Sequence, residues 1–303
     1  MSSVSTTVTP SCSHCGSACK LHFVTQDYNR RIGEEHFRHY RCTQCALLFI
    51  HPVPDDLGLY YPNDYYYVPE SIDFLDENHR HEKYKIDIIH RFKTSGRLLE
   101  IGPSLGAFSY AAKLAGFDVS AIEMSTECSQ YLNNVAHIPT VNTADTDAAL
   151  LSLEPFDVIA LWHVIEHLVD PWKTMDHIAR SLKPDGICIL AAPNPSAFQF
   201  KVIGKRWPHV DAPRHLYLIP QDVLVERARM YGLTLEFATT DDEGARGWNT
   251  FGWEYWLGNL MRDPKRKAFM HHMGKKLARL VRRWDQKEGR GSAYTLVFRK
   301  AGS

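Results

Sequence analysis

From Gly96 onward the chain alternates short apolar runs with amphipathic stretches. GRLLEIG reads as a buried strand, followed at once by Pro103-Ser-Leu-Gly106 and the helical AFSYAAKLAG. Further strands are expected at Phe117–Ile122, which closes on Glu123, at Ile138–Val141, at FDVIALW (156–162) and at GICILAAP (186–193). Apolar residues at helical spacing fill the gaps at Glu127–Val135, Asp145–Leu153 and Pro171–Leu182. Such alternation predicts an α/β fold, a parallel sheet covered on both faces, with ligands beyond the carboxyl ends of the strands. A sixth strand is expected at Leu233–Thr239, after which the pattern leaves the sheet and returns only at Tyr294–Arg299.

Upstream, the texture differs. HPVPDDLGLYYPNDYYYVP is dense in Pro and Tyr, and prolines at 52, 54, 62 and 69 forbid long regular elements. Tyrosines 60, 61, 65, 66 and 67 are too apolar for a free linker, so the segment is expected to wrap onto the next domain or to line a pocket. Asp76–Phe92 has the spacing of one helix, with Tyr84, Ile88, Ile89 and Phe92 on a single face. The expected organisation is a small module over 1–54, the arm and helix over 55–93, and a main domain over 94–303 with a helical insertion at about 244–291.

The first module carries the clearest chemistry. Cys12-Ser-His-Cys15 and Cys42-Thr-Gln-Cys45 are two CxxC pairs, each able to grip one side of a tetrahedral zinc ion. Strands expected at His22–Gln26 and His36–Arg41 flank a turn-rich Asn29-Arg-Arg-Ile-Gly33, the plan of a zinc ribbon with two knuckles joined by a hairpin. The gap between the pairs is longer than the usual one, and Cys19, His14 and His22 are less regular alternative ligands. Four thiolates close the coordination sphere, so the zinc would be structural. Cys128 and Cys188 lie in apolar surroundings and are expected in the core.

Composition adds limits. Apolar residues at 44% and charged residues at 23% are ordinary globular usage, and no apolar run reaches the length of a membrane span. The N-terminus lacks the basic and apolar regions of a signal peptide, so a cytoplasmic location without membrane attachment is expected. The net charge is zero, yet Arg262–Arg290 holds eleven Lys or Arg against three acids, so a balance of +8 there leaves −8 elsewhere. Within that segment Met273, Leu277, Leu280, Val281 and Trp284 fall at helical spacing and are expected to dock on the body. GWNTFGWEYWLGNL just before it reads as a hydrophobic latch, an acceptor pocket or a dimer surface.

Glu100-Ile-Gly102-Pro-Ser104-Leu-Gly106 is a turn in which backbone approaches a ligand, and the acid Glu123 closes the next strand about 20 residues on. That pairing suits an adenosine-type ligand, whereas the lack of GxxxxGK[ST] argues against ATP chemistry. His163-Val-Ile-Glu166-His167 matches a zinc-protease string, but His163 falls at a strand end rather than on a helix, so that reading fails. Glu166 and His167 are instead expected to start the next helix and tie it to the glycine turn.

LLEIGPSLGAF, DVSAIE, ALWHVIEHLVDP and KPDGICIL together resemble class I S-adenosylmethionine-dependent methyltransferases of the ubiquinone-biosynthesis-like group. A subset of that group carries an N-terminal zinc-binding CxxC…CxxC segment and a Pro/Tyr-rich arm, and this chain resembles it from Cys12 to about Lys300. The resemblance implies a Rossmann-like sheet with its last strand antiparallel, with S-adenosyl-L-methionine and Zn2+ as cofactors. Gly102, Ser104 and Gly106 would let backbone approach the methionine part of the donor; Ser104 stands where many members have glycine. Glu123 would hold the ribose, Met124 pack on the adenine, Asp145 contact its amino group, and Leu161, Trp162 and His163 flank the sulfonium.

For a hydroxyl acceptor a base is needed, and His163 and His215, the latter in Asp211-Ala-Pro-Arg-His-Leu, are the two candidates. Asn194 would orient an acceptor or cap a turn. The leading reading is methyl transfer to an O, N or C nucleophile of a small molecule such as a sugar or nucleotide-sugar. The alternatives are an RNA methyltransferase gripping RNA by ribbon and basic helix, and a non-catalytic zinc-ribbon interaction module. No oligomeric state is legible.

Overall fold

The computed structural model of the chain describes residues 9–62 and 67–302, so Tyr65 and Tyr66 of the arm lie outside the described residues. The N-terminal segment forms three antiparallel strands, β1 (Cys19–Thr25), β2 (Phe37–Cys42) and β3 (Leu48–Ile50). The stretch expected as one helix over Asp76–Phe92 is two: α1 (Asp73–Asn78) and α2 (Lys83–His90), separated by a tight turn at His79–Glu82. At the break the His79 imidazole donates to the Leu75 carbonyl at 2.9 Å, a side chain competing for a helix acceptor.

The alternation follows in order. It comprises β4 (Gly96–Ile101), α3 (Ala107–Leu114), β5 (Phe117–Glu123), α4 (Thr126–Asn134), β6 (Thr140–Asn142) and α5 (Thr146–Ser152). Next come β7 (Phe156–Trp162), α6 (Pro171–Ser181) and β8 (Leu182–Pro193). Helix starts are written locally: the Asp145 and Asp170 carboxylates accept from Ala148 N and Lys173 N, both at 3.0 Å, and Pro171 opens α6. The remainder is α7 (Phe198–Ile203), β9 (Tyr217–Leu218), α8 (Gln221–Met230), β10 (Leu233–Thr239), α9 (Glu243–Asn259), α10 (Pro264–Asp285) and β11 (Ala293–Lys300).

Seven strands make one sheet in the order β10-β11-β8-β7-β4-β5-β6, parallel from β8 to β6, with β11 antiparallel to both neighbours. This is the expected Rossmann-like α/β architecture, antiparallel last strand included. β4 is central, pairing Ile101 with Ile122 on one side and with Leu161 on the other, so the ends of β4, β5 and β7 open side by side.

Two apolar layers cover the sheet. One includes Leu98, Phe108, Leu132, Val158 and Ile189; the other joins Leu99, Ile159 and Leu190 to Tyr40, Leu47 and the buried cysteines of the N-terminal segment. The N-terminal strands are bound further by β9, which adds to β3 through Leu48↔Leu218 and Phe49↔Tyr217. Cys128 and Cys188 are fully buried, as expected of core cysteines.

The apolar stripe expected to dock α10 does so only in part: Leu277 and Val281 are half-buried and the Trp284 ring stacks on Phe198 at 6.4 Å. Gly274, Ala278 and Asp285 are buried, while Leu280 is 74% exposed and Met273 and Trp284 are 37% exposed. α10 packs on α9 at a close approach, since a Cβ on Gly274 would collide with the Glu254 backbone. Glycine rather than leucine therefore sets this interface, and that turns Leu280 outward. Of the arm, Tyr60 is buried against Phe37, whereas Tyr67 is 89% exposed.

Candidate active site

The turn after β4 is the first wall. Gly102, Ser104 and Gly106 hold φ of 68°, 53° and 78°, the left-handed region that glycine enters freely and serine enters under strain. A Cβ on Gly102 would meet Val164 Cγ2 at 2.8 Å, and one on Gly106 would strike the Leu132 side chain. The backbone is therefore bared where a ligand has to come close. Glu123, at the end of β5, lies under this turn. Its two oxygens accept from Ser104 N at 2.9 Å and Ser125 N at 2.8 Å. Each oxygen keeps a further lone pair, which fits a pair of ribose hydroxyls. Burial pushes the Glu123 carboxyl up, against the pull of those amides.

The second wall is apolar and cationic. Trp162 ends β7 with its indole N–H buried and unbonded, and its ring stands edge-on to Phe108 at 5.3 Å. Lys85 of α2 lies 4.6 Å from the centre of the Trp162 ring and pairs with Glu82 at 2.5 Å. Deep beneath, Glu100 accepts from Ser109 Oγ at 2.5 Å, and burial raises its carboxyl to about 7.

Beyond β7 the chain turns sharply. His163 takes a φ of 58°, and the Ile165–His167 segment is a single tight turn. This aims Glu166, only 1% exposed, at a group of imidazoles. His163 Nδ1 is 3.5 Å and His215 Nε2 is 3.9 Å from the same oxygen, Glu166 Oε1. The imidazoles, with the His163 contact foremost, outweigh burial and hold the Glu166 carboxyl down at about 2. Glu166 is thus ionised at neutral pH inside the protein.

Backbone carbonyls settle the tautomers, because a carbonyl only accepts. His215 Nδ1–H donates to His209 O at 2.8 Å, His209 Nε2–H to Trp248 O at 3.2 Å, and His167 Nδ1–H to Arg214 O at 3.0 Å. Burial lowers His167 to about 4 and His209 to about 3, so both are neutral at pH 7. Trp248 of α9 covers the group, with its ring 4.7 Å from His163 and 5.3 Å from His209.

Glu166 and His167 do not tie a helix to the glycine turn, as the sequence suggested. They face the segment after α7 instead: Leu216 N donates to Glu166 O at 2.8 Å. The reason is Arg214, fully buried, whose guanidinium grips Asp27 of the N-terminal segment at 2.7 and 3.0 Å and Asp211 at 2.8 and 2.9 Å. That double fork locks the His215 segment between the two halves of the chain.

The four cysteines of the CxxC pairs converge. Sγ–Sγ distances are 3.6 Å for Cys12–Cys45, 3.4 Å for Cys15–Cys42 and 3.7 Å for Cys15–Cys45. A zinc ion with bonds of about 2.3 Å has tetrahedral edges of about 3.8 Å. Gln44 N and Cys45 N both point at Cys42 Sγ from 3.4 Å, a turn that stabilises a thiolate. The donor set fits zinc, with Cys19 and His22 outside it and His14 engaged with Arg227 and Glu226.

Comparison with known proteins agrees with this geometry. A profile described as a methyltransferase domain matches residues 77–236, more than half of the chain. The chain belongs to the methyltransferase-domain family. It is 25% identical over 175 residues to the ubiquinone biosynthesis O-methyltransferase of Psychrobacter cryohalolentis, 53% of this chain and 66% of that one. Against the enzyme of the same name from Psychrobacter arcticus it is 28% identical over 125 residues, 37% of this chain and 47% of that one. The chain therefore spans about half to two thirds of these curated relatives. In fold it is similar to a chain from the complex between the Haloferax volcanii Trm112 methyltransferase activator and a candidate methyltransferase, with a TM-score of 0.51, 15% identity, and 76% and 93% of the two chains covered.

Within this methyltransferase domain, Gly102, Ser104, Gly106, Glu123, Leu161 and Trp162 gather at the ends of three adjacent strands. Met124 is 60% exposed at the rim, and exposed Asp145 uses one carboxylate oxygen, Oδ1, at the α5 start. His163 and His215 meet on Glu166. Asn194 is buried, bridging to Gly289 O and Gly291 O at 3.1 and 2.9 Å, so it ties β8 to the return of β11. Sequence reasoning missed Lys85, Glu166 as the shared partner, His209 and Arg214. The Arg-His doublet in APRHL was the available signal for Arg214, but its partner Asp27 lies 187 residues away.

Proposed function

We propose that the chain transfers a methyl group from S-adenosylmethionine to a hydroxyl of a small molecule, with a histidine held on Glu166 as base. The observation that carries this is the placing of a Glu123-backed glycine turn and a buried carboxylate–histidine group at the ends of adjacent strands. The relatives' named activity, O-methylation in ubiquinone biosynthesis, supports a hydroxyl acceptor.

When bound, the donor supplies an electrophilic methyl on sulfur. Gly102, Ser104 and Gly106 would seat its amino-acid part, Glu123 its ribose, and Met124 and Asp145 its adenine. Leu161 and Trp162 would flank the sulfur end, and Lys85 beside Trp162 is placed for a carboxylate. His163 keeps Nδ1 toward Glu166, which leaves Nε2 to take the acceptor's proton. His215, whose Nδ1–H is held by His209 O and whose Nε2 faces the same carboxylate, has no second nitrogen free and would serve as a partner of Glu166 rather than as the base. Glu166 stays ionised and so stabilises the imidazolium as it forms, a contribution typically of about 10²–10⁴ in rate. Trp248 excludes water from this side.

Cys12, Cys15, Cys42 and Cys45 would hold one structural zinc. Its effect on the site is indirect: the same segment carries Asp27, which clamps Arg214 beside His215.

The test is a metabolite screen for donor-dependent gain of one methyl, repeated with Glu166→Gln, His163→Gln and His215→Gln. The reading predicts a methylated hydroxyl compound and a loss of at least 100-fold in kcat for Glu166→Gln and for one histidine, with donor affinity kept. Full turnover in all three variants would remove the base.

A further inference from the structure

The loop joining β1 to β2 and the end of α9 line a half-open cavity of about 620 Å3, within the usual range of about 300–1,000 Å3 for small-molecule sites. None of His163, His167, His209 or His215 lines it. Three guanidinium groups do: Arg31 from the loop, Arg206 from the turn after α7, and Arg262 from the link between α9 and α10. The flat rings of Tyr28 and Trp256 complete the wall.

The loop is built to present these groups. Asp27 accepts from Arg30 N at 2.9 Å and Ile32 N at 3.2 Å, which folds the turn, while its carboxylate is already taken by Arg214. Arg31 sits at a φ of 60°, a left-handed conformation that is costly for a side-chain-bearing residue. It is held there as its guanidinium donates to the Asn259 carbonyl at 2.6 Å, where α9 ends. The Arg206 guanidinium rests 5.6 Å from the centre of the Tyr28 ring. Among the described residues neither Arg206 nor Arg262 forms an ion pair.

The charge does not balance. Two carboxylates line the cavity, Asp27 and Glu34, and the single charge of Arg214 is shared between Asp27 and Asp211, so that buried trio keeps one net negative charge. Three guanidinium charges facing one space against the two negative charges, of Glu34 and of that trio, leave a positive surplus of one, which calls for an anion. Planar guanidinium forks match phosphate oxygens better than any other side chain. The volume exceeds what one inorganic anion fills, and two flat aromatic rings beside the arginines suit a stacked base.

We propose that this cavity binds a phosphorylated small molecule carrying a flat ring, of the nucleoside diphosphate class. The proposal stands apart from methyl transfer, since binding is measured without donor or acceptor.

The test titrates the full zinc-loaded chain with the common nucleoside diphosphates, and separately with inorganic pyrophosphate, by calorimetry at low salt. One diphosphate is expected to bind at sub-millimolar concentration, with affinity falling steeply as salt rises. Arg206→Glu/Arg262→Glu should weaken it at least tenfold with an unchanged melting curve. Pyrophosphate should bind at least tenfold more weakly than the nucleotide, and Trp256→Ala should erase that gap. No binding by any diphosphate, or unchanged binding in the double variant, overturns the site. Equal binding of pyrophosphate and nucleotide overturns the flat-ring part.

Discussion

Glu166 concentrates the chemistry of a whole site in one side chain. Its folded-state value near 2 lies below the ordinary carboxylate value, so in acid the folded chain binds fewer protons there than the unfolded chain does. Its contribution to stability is therefore complete above about pH 4.5 and is lost as pH falls toward 2. His167 and His209, held neutral at about 4 and 3, act in the same direction, losing stability as pH falls from about 6.5. Glu166→Gln should cost on the order of 2–3 kcal/mol at pH 7 by urea melts, and the gap to wild type should close near pH 2–3. A constant gap across that range would place the cost elsewhere. The sequence named His163 and His215 separately because spacing shows which residues end strands. That both reach one carboxylate depends on Arg214 folding its segment back onto Glu166, a contact no local pattern encodes.

Among the elements, those with strong periodicity were legible to within a residue or two. FDVIALW became β7, and Leu233–Thr239 became β10. α10 was legible as a helix but not in its orientation. Hydrophobic spacing favours the stripe Met273–Leu280–Trp284, whereas the close approach at Gly274 decides which face meets α9. Gly274→Ala should therefore destabilise by about 2 kcal/mol or more in thermal melts, although alanine gains about 1 kcal/mol of helix propensity over glycine. Leu280→Gln should stay within about 0.5 kcal/mol of wild type. The reverse order would restore the spacing-based orientation. β9, two residues long, carries too little pattern to be seen, yet it joins the N-terminal sheet to the segment holding His215.

At the scale of the molecule, the doubly covered sheet was readable because strand and helix alternate without interruption, and the paired CxxC spacing foretold the cysteine cluster. The way the N-terminal segment grips the rest was not readable. It rests on the buried Asp27–Arg214–Asp211 fork and on Trp172, whose indole N–H donates to Ser13 Oγ at 3.0 Å. Among the described residues no helix is long and apolar enough to cross a membrane. Metal analysis should find one zinc per chain, and removing it with a strong chelator should lower the melting temperature of the whole chain, not of the N-terminal segment alone. Cys15→Ser should reproduce that fall without chelator. A metal-free chain with an unchanged melt would mean that the thiols pack without an ion.

The central claim is that Glu123 and the glycine turn form a donor site, and calorimetric titration with S-adenosylhomocysteine tests it most directly, because it needs no knowledge of the acceptor. The account predicts one molecule bound per chain, an affinity at least tenfold weaker in Glu123→Ala, and little change in Glu166→Gln. Failure of the wild-type chain to bind, or undiminished binding by Glu123→Ala, would contradict it.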